Sequence, residues 1–585
     1  MKIFDSITKN ALVDFMRRKI RRFGKSAQQN VDIFAQKIWL IHYDPEVPHE
    51  IPEINQTLID IFNRSVIHNP EKTAIVYFGR KFSYHQLKDL VQQVAAGMHS
   101  RGVRKNDRIA LLLPNLPQFV IAYWAVLSLG AVVVPLNPLS SCREVDTFLA
   151  VSRPRMMLTL DIFYDRLEPA FRKYPDIFVV LTSIDSYMPK MARFIYLIKS
   201  GFTKQGLQAN NEKVISFDSL FQRSSYPSAK IFYDDTAVLL FTGGVTGVPK
   251  AVQLKHKGLV ANTLQTFLWL GKTDADTVVL GFLPLFHSYG MTACHHLSIQ
   301  MGSTLILEPR FKAARAIDCL KKYPRTVFPG VPTMYRAVLN LLQKRKRRLN
   351  CFSICVSGGA PLPDDLKMDF EKWTTALMIE GYGLTEASPI THCNPLHKTD
   401  KRASIGIPLP GTEARIIDLE SKKLQSVDQI GELQIRGPQV MAGYWGNQVE
   451  SKMVLSEDGW LSTGDLAKMD QDGFFYIVDR KKDLILYGGL NVYPSEVEQV
   501  LNEHPLVDES AVVGLPNEYY GEIVKAFVKL KKRESITAEL LIDFCQERLS
   551  GYKCPKQIEF VEHLPKSFIG KILRRNLIQL NKLAV

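Results

Sequence analysis

Apolar and polar positions fall into two alternating periods along this chain. Short apolar runs bounded by glycine, proline or charge recur at residues 74–78, 109–113, 131–136, 156–160, 177–181 and 237–241. Runs of that length predict buried strands. Helical spacing lies between them, at 83–99 and 118–129. Residues 109–142 carry no charge, which on hydropathy alone reads as a membrane span. Pro114, Pro117, Gly130 and Pro135 cut that stretch into strand, helix and strand. A βαβ unit covered on both faces has this pattern. The alternation predicts an α/β fold with largely parallel strands over most of the chain.

The pattern changes at both ends. Residues 1–50 read as an added arm in which Leu12, Val13, Phe15, Met16, Ile20 and Phe23 share one side of a helical wheel, opposite Arg17, Arg18, Arg21 and Arg22. Such a helix either lies in a membrane interface or packs on the protein itself. Residues 188–204 repeat the mixture, with Met188, Met191, Phe194, Ile195, Leu197 and Ile198 beside Lys190, Arg193, Lys199 and Lys204. The basic run at 344–348 reads as a solvated helix end. Near residue 480 the composition turns polar. The last hundred or so residues predict a small α+β unit, with strands at 510–514, 525–529 and 557–561 and a helix at 538–549. The expected division is an arm over 1–50, a large domain over 51–480 and a small domain over 481–585.

Composition narrows the class. At 585 residues the chain exceeds a single core. Eight scattered cysteines without a zinc pattern imply free thiols in a reducing compartment. The net charge of +15 calls for an anionic partner, a membrane surface or a phosphate-bearing substrate. No interleaved aromatic and basic motif points to nucleic acid. Lys2 and Asp5 interrupt the start and no apolar run follows, so no signal peptide is expected.

The chemistry begins at the stretch from Leu239 to Lys250. An apolar strand runs into Thr242, Gly243, Gly244, Val245, Thr246, Gly247, Val248, Pro249 and Lys250, and helical character resumes at 256–262. Glycines let a backbone approach a phosphate, threonine hydroxyls donate, and Lys250 supplies charge. The spacing is not that of a Walker loop. A tight turn fits the stretch equally well on its own. Further motifs follow downstream: Phe286-His287-Ser288-Tyr289-Gly290, Ser357-Gly358-Gly359-Ala360-Pro361, Glu380-Gly381-Tyr382-Gly383-Leu384-Thr385-Glu386, Gly464-Asp465, Asp479-Arg480-Lys481-Lys482-Asp483, Tyr487-Gly488-Gly489-Leu490, and Gly570-Lys571.

In that order, from residue 57 to the end, these motifs resemble the adenylate-forming superfamily of acyl-CoA synthetases, luciferases and peptide-synthetase adenylation domains. They are most similar to its bacterial long-chain fatty acid–CoA ligases. The resemblance implies a large adenylate-forming domain of layered sheets and a small mobile C-terminal domain. It implies a two-step reaction: a carboxylate attacks ATP to give acyl-AMP and pyrophosphate, and coenzyme A then takes the acyl group. By resemblance, Thr242, Gly243, Gly244, Thr246, Gly247 and Lys250 hold the β- and γ-phosphates. Glu386 ligates Mg²⁺ and Thr385 meets the α-phosphate. Gly359, Ala360 and Tyr382 surround adenine, while Asp465 and Arg480 hold the ribose. Lys571 bridges the carboxylate and the α-phosphate. His287, Gly330 and Gly358 line an acyl pocket, with Phe267 and Trp269 as possible gates. Rotation about Lys482 would exchange Lys571 for Gly488 and Gly489, which border the coenzyme A channel.

Two positions depart from the family pattern: Val245 replaces a hydroxyl residue, and Ala251 replaces a glycine. The expected partners are fatty acid, ATP, coenzyme A and an anionic membrane surface, with the protein peripheral on the cytoplasmic face. Rival readings are a ligase for medium-chain or aryl acids, an acyl-AMP ligase, and a silent membrane-bound homologue that binds acyl groups or nucleotide.

Overall fold

The uncharged stretch folds as a buried βαβ unit: strand Arg108–Leu112, helix Pro117–Ser128 and strand Val132–Pro135. Pro117 opens the helix at a position where its missing N–H costs no hydrogen bond. The two strands pair in parallel, Ile109 beside Val133. Successive residues serve opposite faces: Ile109 and Leu111 join one core, Ala110 and Leu112 another. Among the described residues, no helix is long and apolar enough to cross a membrane. The computed structural model describes residues 34–200, 212–242, 249–271, 276–323, 325–397, 401–488, 490–517, 519–531, 534–566 and 572–583.

Around this unit lies an eight-stranded sheet. From one edge its strands run Gly443–Tyr444, Lys250–Lys255, Thr236–Thr242, Val132–Pro135, Arg108–Leu112, Met156–Leu160, Phe178–Thr182 and Val214–Ser216. The last six pair in parallel. A nine-stranded sheet holds Thr73–Tyr77, Thr304–Leu307, Val278–Gly281, Thr326–Gly330, Ile354–Ser357 and Leu377–Gly383 in parallel, with antiparallel strands at both ends. One continuous core runs from Ile109 and Val133 through Phe119 and Trp124 to Val279, Leu305 and Val327, so helices fill the space between the sheets. A four-stranded antiparallel sheet, Glu413–Ile417, Gly431–Arg436, Leu461–Met469 and Phe475–Arg480, completes the large body.

The strand ending at Arg480 is followed by one turn, Lys481–Asp483, and then by a unit with its own core. Strands Val507–Asn517 and Gly521–Leu530 form its centre, packed by helices Pro494–Glu503 and Ala538–Gln546. Among the described residues, Ser495 ties this unit to the large body through two bonds. Ser495 N–H donates to the Asp479 carboxylate over 2.8 Å, and the Ser495 hydroxyl donates to the Val478 carbonyl over 2.5 Å.

The arm requires a correction. Residues 34–50 are built into the large body: Trp39 is 1% exposed and meets the Phe475 ring edge-on at 6.0 Å. The Tyr43 hydroxyl donates to the Pro408 carbonyl over 2.6 Å, and Asp44 accepts from the N–H of Leu396 over 2.9 Å. An aromatic and a carboxylate with partners over 300 residues away anchor this segment more firmly than its prolines suggest. The amphipathic stretch itself, residues 1–33, lies outside the described residues. The second basic stretch forms the helix Lys190–Ser200. Its Met191, Phe194, Ile195 and Ile198 face outward, Met191 at 71% and Phe194 at 58% exposure.

Candidate active site

The segments flanking the glycine-rich stretch are paired strands, not the expected strand and helix. Thr236–Thr242 pairs antiparallel with Lys250–Lys255, Thr242 opposite Lys250. The helix His256–Trp269 begins only after that return strand. Ala251, Val252 and Leu254 of Lys250–Lys255 are buried on both faces, as suits a strand paired on both sides. Lys250 therefore stands at the mouth of the hairpin. Gly243, Gly244, Val245, Thr246 and Gly247 lie outside the described residues, as do Gly489 and Lys571.

Lys250 has two partners. Its ammonium pairs with the Glu450 carboxylate and lies 4.9 Å from the centre of the Tyr444 ring. The Tyr444 hydroxyl donates to Glu386 over 3.0 Å. Burial raises the Glu386 carboxyl above its ordinary range; the Tyr444 hydrogen bond and the Arg480 charge act against that rise. Beside it, the hydroxyls of Thr385 and Ser288 lie 3.4 Å apart. Sequence reasoning missed Tyr444 and Glu450, and it assigned Ser288 only to a motif beside the acyl pocket. The glycine-flanked aromatic pair at 443–446 was the available signal for Tyr444.

A second cluster stands across the four-stranded sheet. Asp465 and Arg480 face each other in register on neighbouring strands, with Arg480 Nε 3.1 Å from the carboxylate. The other carboxylate oxygen accepts from the Tyr382 hydroxyl over 2.6 Å. Tyr382 lies two residues after the buried Glu380, whose carboxyl burial pushes up to about 8. The structure thus brings Tyr382, Asp465 and Arg480 together from segments nearly a hundred residues apart. Asp465 lies within the strand Leu461–Met469.

The apolar side opens behind the strand ends. Gly358 N–H donates to the Gly330 carbonyl over 3.1 Å. A Cβ at Gly330 would sit 2.8 Å from the Tyr335 ring, and one at Gly358 3.2 Å from the Tyr289 ring. Glycine at these two positions therefore lets adjacent strand ends and aromatic rings close together. His287 caps the short turn that follows, its Nδ1 accepting from the Tyr289 N–H over 3.2 Å, and burial lowers its imidazole to about 4. Next to it is a cavity of about 320 Å³ lined chiefly by Phe282, Phe286, Phe311, Val331, Met334 and Ala337. Gating by Trp269 is not supported. Its indole N–H donates to the Asn394 carbonyl over 3.0 Å and its ring packs on Tyr43 at 5.1 Å, making it a clasp for the N-terminal segment. Phe267 is half-buried against the core.

Beyond the hinge turn, Lys482 lies on Lys481–Asp483 and Gly488 ends the following strand with φ +55°. Arg574, three residues past Lys571, bonds the buried Glu498 at 2.8 Å and Asp483 at 3.3 Å. The exit of the Lys571 segment is thereby fastened to the turn at 481–483.

Among the described residues no group of three or more carboxylate, histidine or cysteine side chains stands ready for a metal, and all eight cysteines are free. Glu386 offers a single half-buried carboxylate. That donor suits a hard cation whose other ligands are phosphate oxygens and water.

Comparison with known proteins agrees with this geometry. The family model described as AMP-binding enzyme matches residues 62–445, and its C-terminal domain model matches 496–571. A long-chain-fatty-acid–CoA ligase of Bacillus subtilis (strain 168) is 40% identical over 557 residues, covering 93% of this chain and 98% of that protein. An anthranilate CoA ligase solved with anthranoyl-AMP superposes with a TM-score of 0.78 at 27% identity, covering 91% of this chain and 98% of the other. The O-succinylbenzoate coenzyme A synthetase of Bacillus subtilis, solved with ATP and a magnesium ion, gives 0.74 at 27% identity, covering 90% and 100%.

Proposed function

We propose, for a chain that belongs to the AMP-binding enzyme family, that it activates a long-chain fatty acid with ATP and passes the acyl group to coenzyme A. The observation that carries this reading is the end-to-end likeness to a long-chain-fatty-acid–CoA ligase, at 40% identity over 93% of the chain.

In the first step a carboxylate oxygen attacks the α-phosphorus of ATP, the bond to the β-phosphate oxygen breaks, and pyrophosphate leaves. Two anions meet, so positive charge and N–H donors have to be in place beforehand. Lys250 and the hairpin turn hold the leaving phosphates. Lys571 neutralises the attacking carboxylate and the α-phosphate together, and Thr385 donates to the α-phosphate. Asp465 accepts from the ribose hydroxyls, with Arg480 and Tyr382 fixing its orientation, and Gly359 and Ala360 flank adenine. Glu386 would hold Mg²⁺, which supplies charge neutralisation to the triphosphate. His287, Gly330 and Gly358 border the acyl path, and the 320 Å³ cavity takes part of the chain.

In the second step the coenzyme A thiolate attacks the acyl carbonyl carbon and AMP leaves with the bonding electron pair. One fixed constellation does not suit both transition states. Rotation of the small domain about Lys482 withdraws Lys571 and brings Gly488 and Gly489 to the pantetheine path. That rotation breaks the two Ser495 bonds, to Asp479 and Val478.

The outward apolar residues Met191, Phe194, Ile195 and Ile198 of Lys190–Ser200, with Lys190 beside them, support contact of that helix with an anionic membrane surface that supplies the fatty acid. The amphipathic stretch at 1–33 carries the same chemistry in its sequence.

Acid-dependent exchange of labelled pyrophosphate into ATP, without coenzyme A, tests the first step. Exchange stimulated by palmitate or oleate is expected; exchange with no acid in a panel spanning fatty and aromatic acids overturns the reading.

A further inference from the structure

The geometry points to Glu450 as a positioning residue that takes Lys250 from the nucleotide and returns it. This inference rests on the reading that Lys250 grips the β- and γ-phosphates. Three observations lead to it. Lys250 is the charged residue at the described mouth of the hairpin, and its ammonium is paired with Glu450 on the helix Gln448–Val454. The pair is largely withdrawn from water, the side chains being 15% and 23% exposed, so the attraction is screened less than at an open surface. A cavity of about 560 Å³ lies directly beside it, lined by Pro249, Lys250, Tyr444, Trp445 and Glu450, and gives the lysine room to move.

The surroundings fix Glu450 and leave Lys250 as the moving member. Asn447 caps the Glu450 helix, its side chain accepting from the Glu450 N–H over 3.1 Å. The segment before that helix is stitched to the return strand of the hairpin: Gly443 pairs with Gln253 and Tyr444 with Val252, and Trp445 N–H donates to the Ala251 carbonyl over 2.8 Å. Glu450 is therefore carried at a set distance from the base of the loop whatever the turn holds. A lysine has a compact charge on a four-carbon stem and exchanges one anion for another by stem rotation. A triphosphate bears more charge than one carboxylate, so arriving ATP draws Lys250 away from Glu450. The Glu450 carboxylate, left without its partner, then favours the lysine's return. That return loosens pyrophosphate, the product that has to leave before the small domain turns.

The competition has a definite sign. Glu450→Gln keeps the shape and removes the competing charge. We expect ATP and pyrophosphate to bind about threefold to tenfold more tightly. AMP, which lacks the β- and γ-phosphates, should bind as before and serves as the control for an intact fold. Turnover of the same variant should show a lower KM for ATP together with a lower kcat. Equilibrium binding of ATP, pyrophosphate and AMP to the full chain, its Glu450→Gln variant and its Lys250→Met variant decides the matter. Unchanged or weaker ATP binding in Glu450→Gln, or an equal shift for AMP, overturns the inference. Lys250→Met separates it from the underlying reading. If that variant leaves the ratio of ATP to AMP affinity unchanged, Lys250 does not grip the phosphates. If it lowers the ratio about tenfold or more while Glu450→Gln raises it, both stand.

Discussion

The Tyr382 hydroxyl donates to Asp465 over 2.6 Å, and the other oxygen of that carboxylate lies 3.1 Å from Arg480 Nε. A carboxylate held on both sides in this way has one orientation, and in the proposed reaction its remaining lone pairs accept from the two ribose hydroxyls. Tyr382→Phe removes one charge-assisted hydrogen bond, worth about 1–2 kcal/mol. The expected result is a rise in KM for ATP of roughly fivefold to thirtyfold, with a smaller change in kcat. Asp465→Asn should cost more, because it also removes the charge that pairs with Arg480. Steady-state kinetics with ATP varied at saturating acid measures both.

If the proposed acyl path runs through the 320 Å³ cavity, activity splits by chain length. Ala337 lines it from the half-buried side of the helix Pro332–Lys344, so a larger side chain there enters the cavity without entering the close-packed core. Ala337→Trp should lower kcat/KM for palmitate by about tenfold or more and leave octanoate within about twofold, since each excluded methylene is worth on the order of 1 kcal/mol. Equal losses for both acids would place the chain elsewhere.

Buried histidines predict acid lability. His256 and His287 are lowered to about 4, His295 and His392 to about 3, and His296 well below its ordinary value, in each case chiefly by burial. Unfolded, each titrates near 6.5. As pH falls from 6.5 towards 4 the unfolded chain takes up protons that the folded chain refuses. Stability therefore drops by up to about 1.4 kcal/mol per pH unit for each histidine. Glu380 acts with the opposite sign, because its carboxyl stays protonated in the fold up to about 8 and its contribution is lost as pH rises from the ordinary glutamate range to that value. Burial raises Glu386 and Glu498 in the same direction, and the five histidines outnumber these carboxyls. Urea midpoints should fall steeply between pH 6.5 and 5, and His392→Gln should flatten the slope.

Much of this was legible in the sequence, and the gaps share a cause. Strand Met156–Leu160 and the unit at 108–135 follow from local pattern alone. The order of motifs marked Tyr382, Asp465 and Arg480, and the strand register brings them together. The return strand Lys250–Lys255 was missed because its other neighbour, Gly443–Tyr444, lies 190 residues away. Trp269 suggested a gate and is a clasp, because Tyr43 and Asn394 are invisible from its own neighbourhood. Glu450 was missed for the same reason: nothing local ties a carboxylate after Asn447 to a lysine on the hairpin. Periodicity reports which face is buried and leaves the partner open.

The outward helix predicts lipid dependence. Replacing Phe194 and Ile195 by glutamate removes apolar contact and adds repulsion from anionic headgroups. Co-sedimentation with vesicles containing phosphatidylglycerol should fall severalfold, while activity on fatty acid in detergent stays unchanged. Undiminished sedimentation would assign membrane contact to another surface.

Lys571 predicts a separation of the two steps. Lys571→Ala should abolish pyrophosphate exchange while preserving thioester formation from a supplied acyl-adenylate, read by thiol consumption. Equal loss in both assays would contradict its role in the first step alone.

The central claim is that this chain makes long-chain acyl-CoA at the expense of ATP cleaved to AMP. The most direct measurement gives the purified protein ATP, Mg²⁺, coenzyme A and an equimolar mixture of palmitate, octanoate and benzoate, and quantifies the thioesters by mass spectrometry beside AMP and pyrophosphate. The account predicts palmitoyl-CoA as the dominant product, with AMP and pyrophosphate formed in equal amounts to total thioester. Dominance of octanoyl-CoA or benzoyl-CoA, or acyl-AMP that accumulates without passing to coenzyme A, would contradict it.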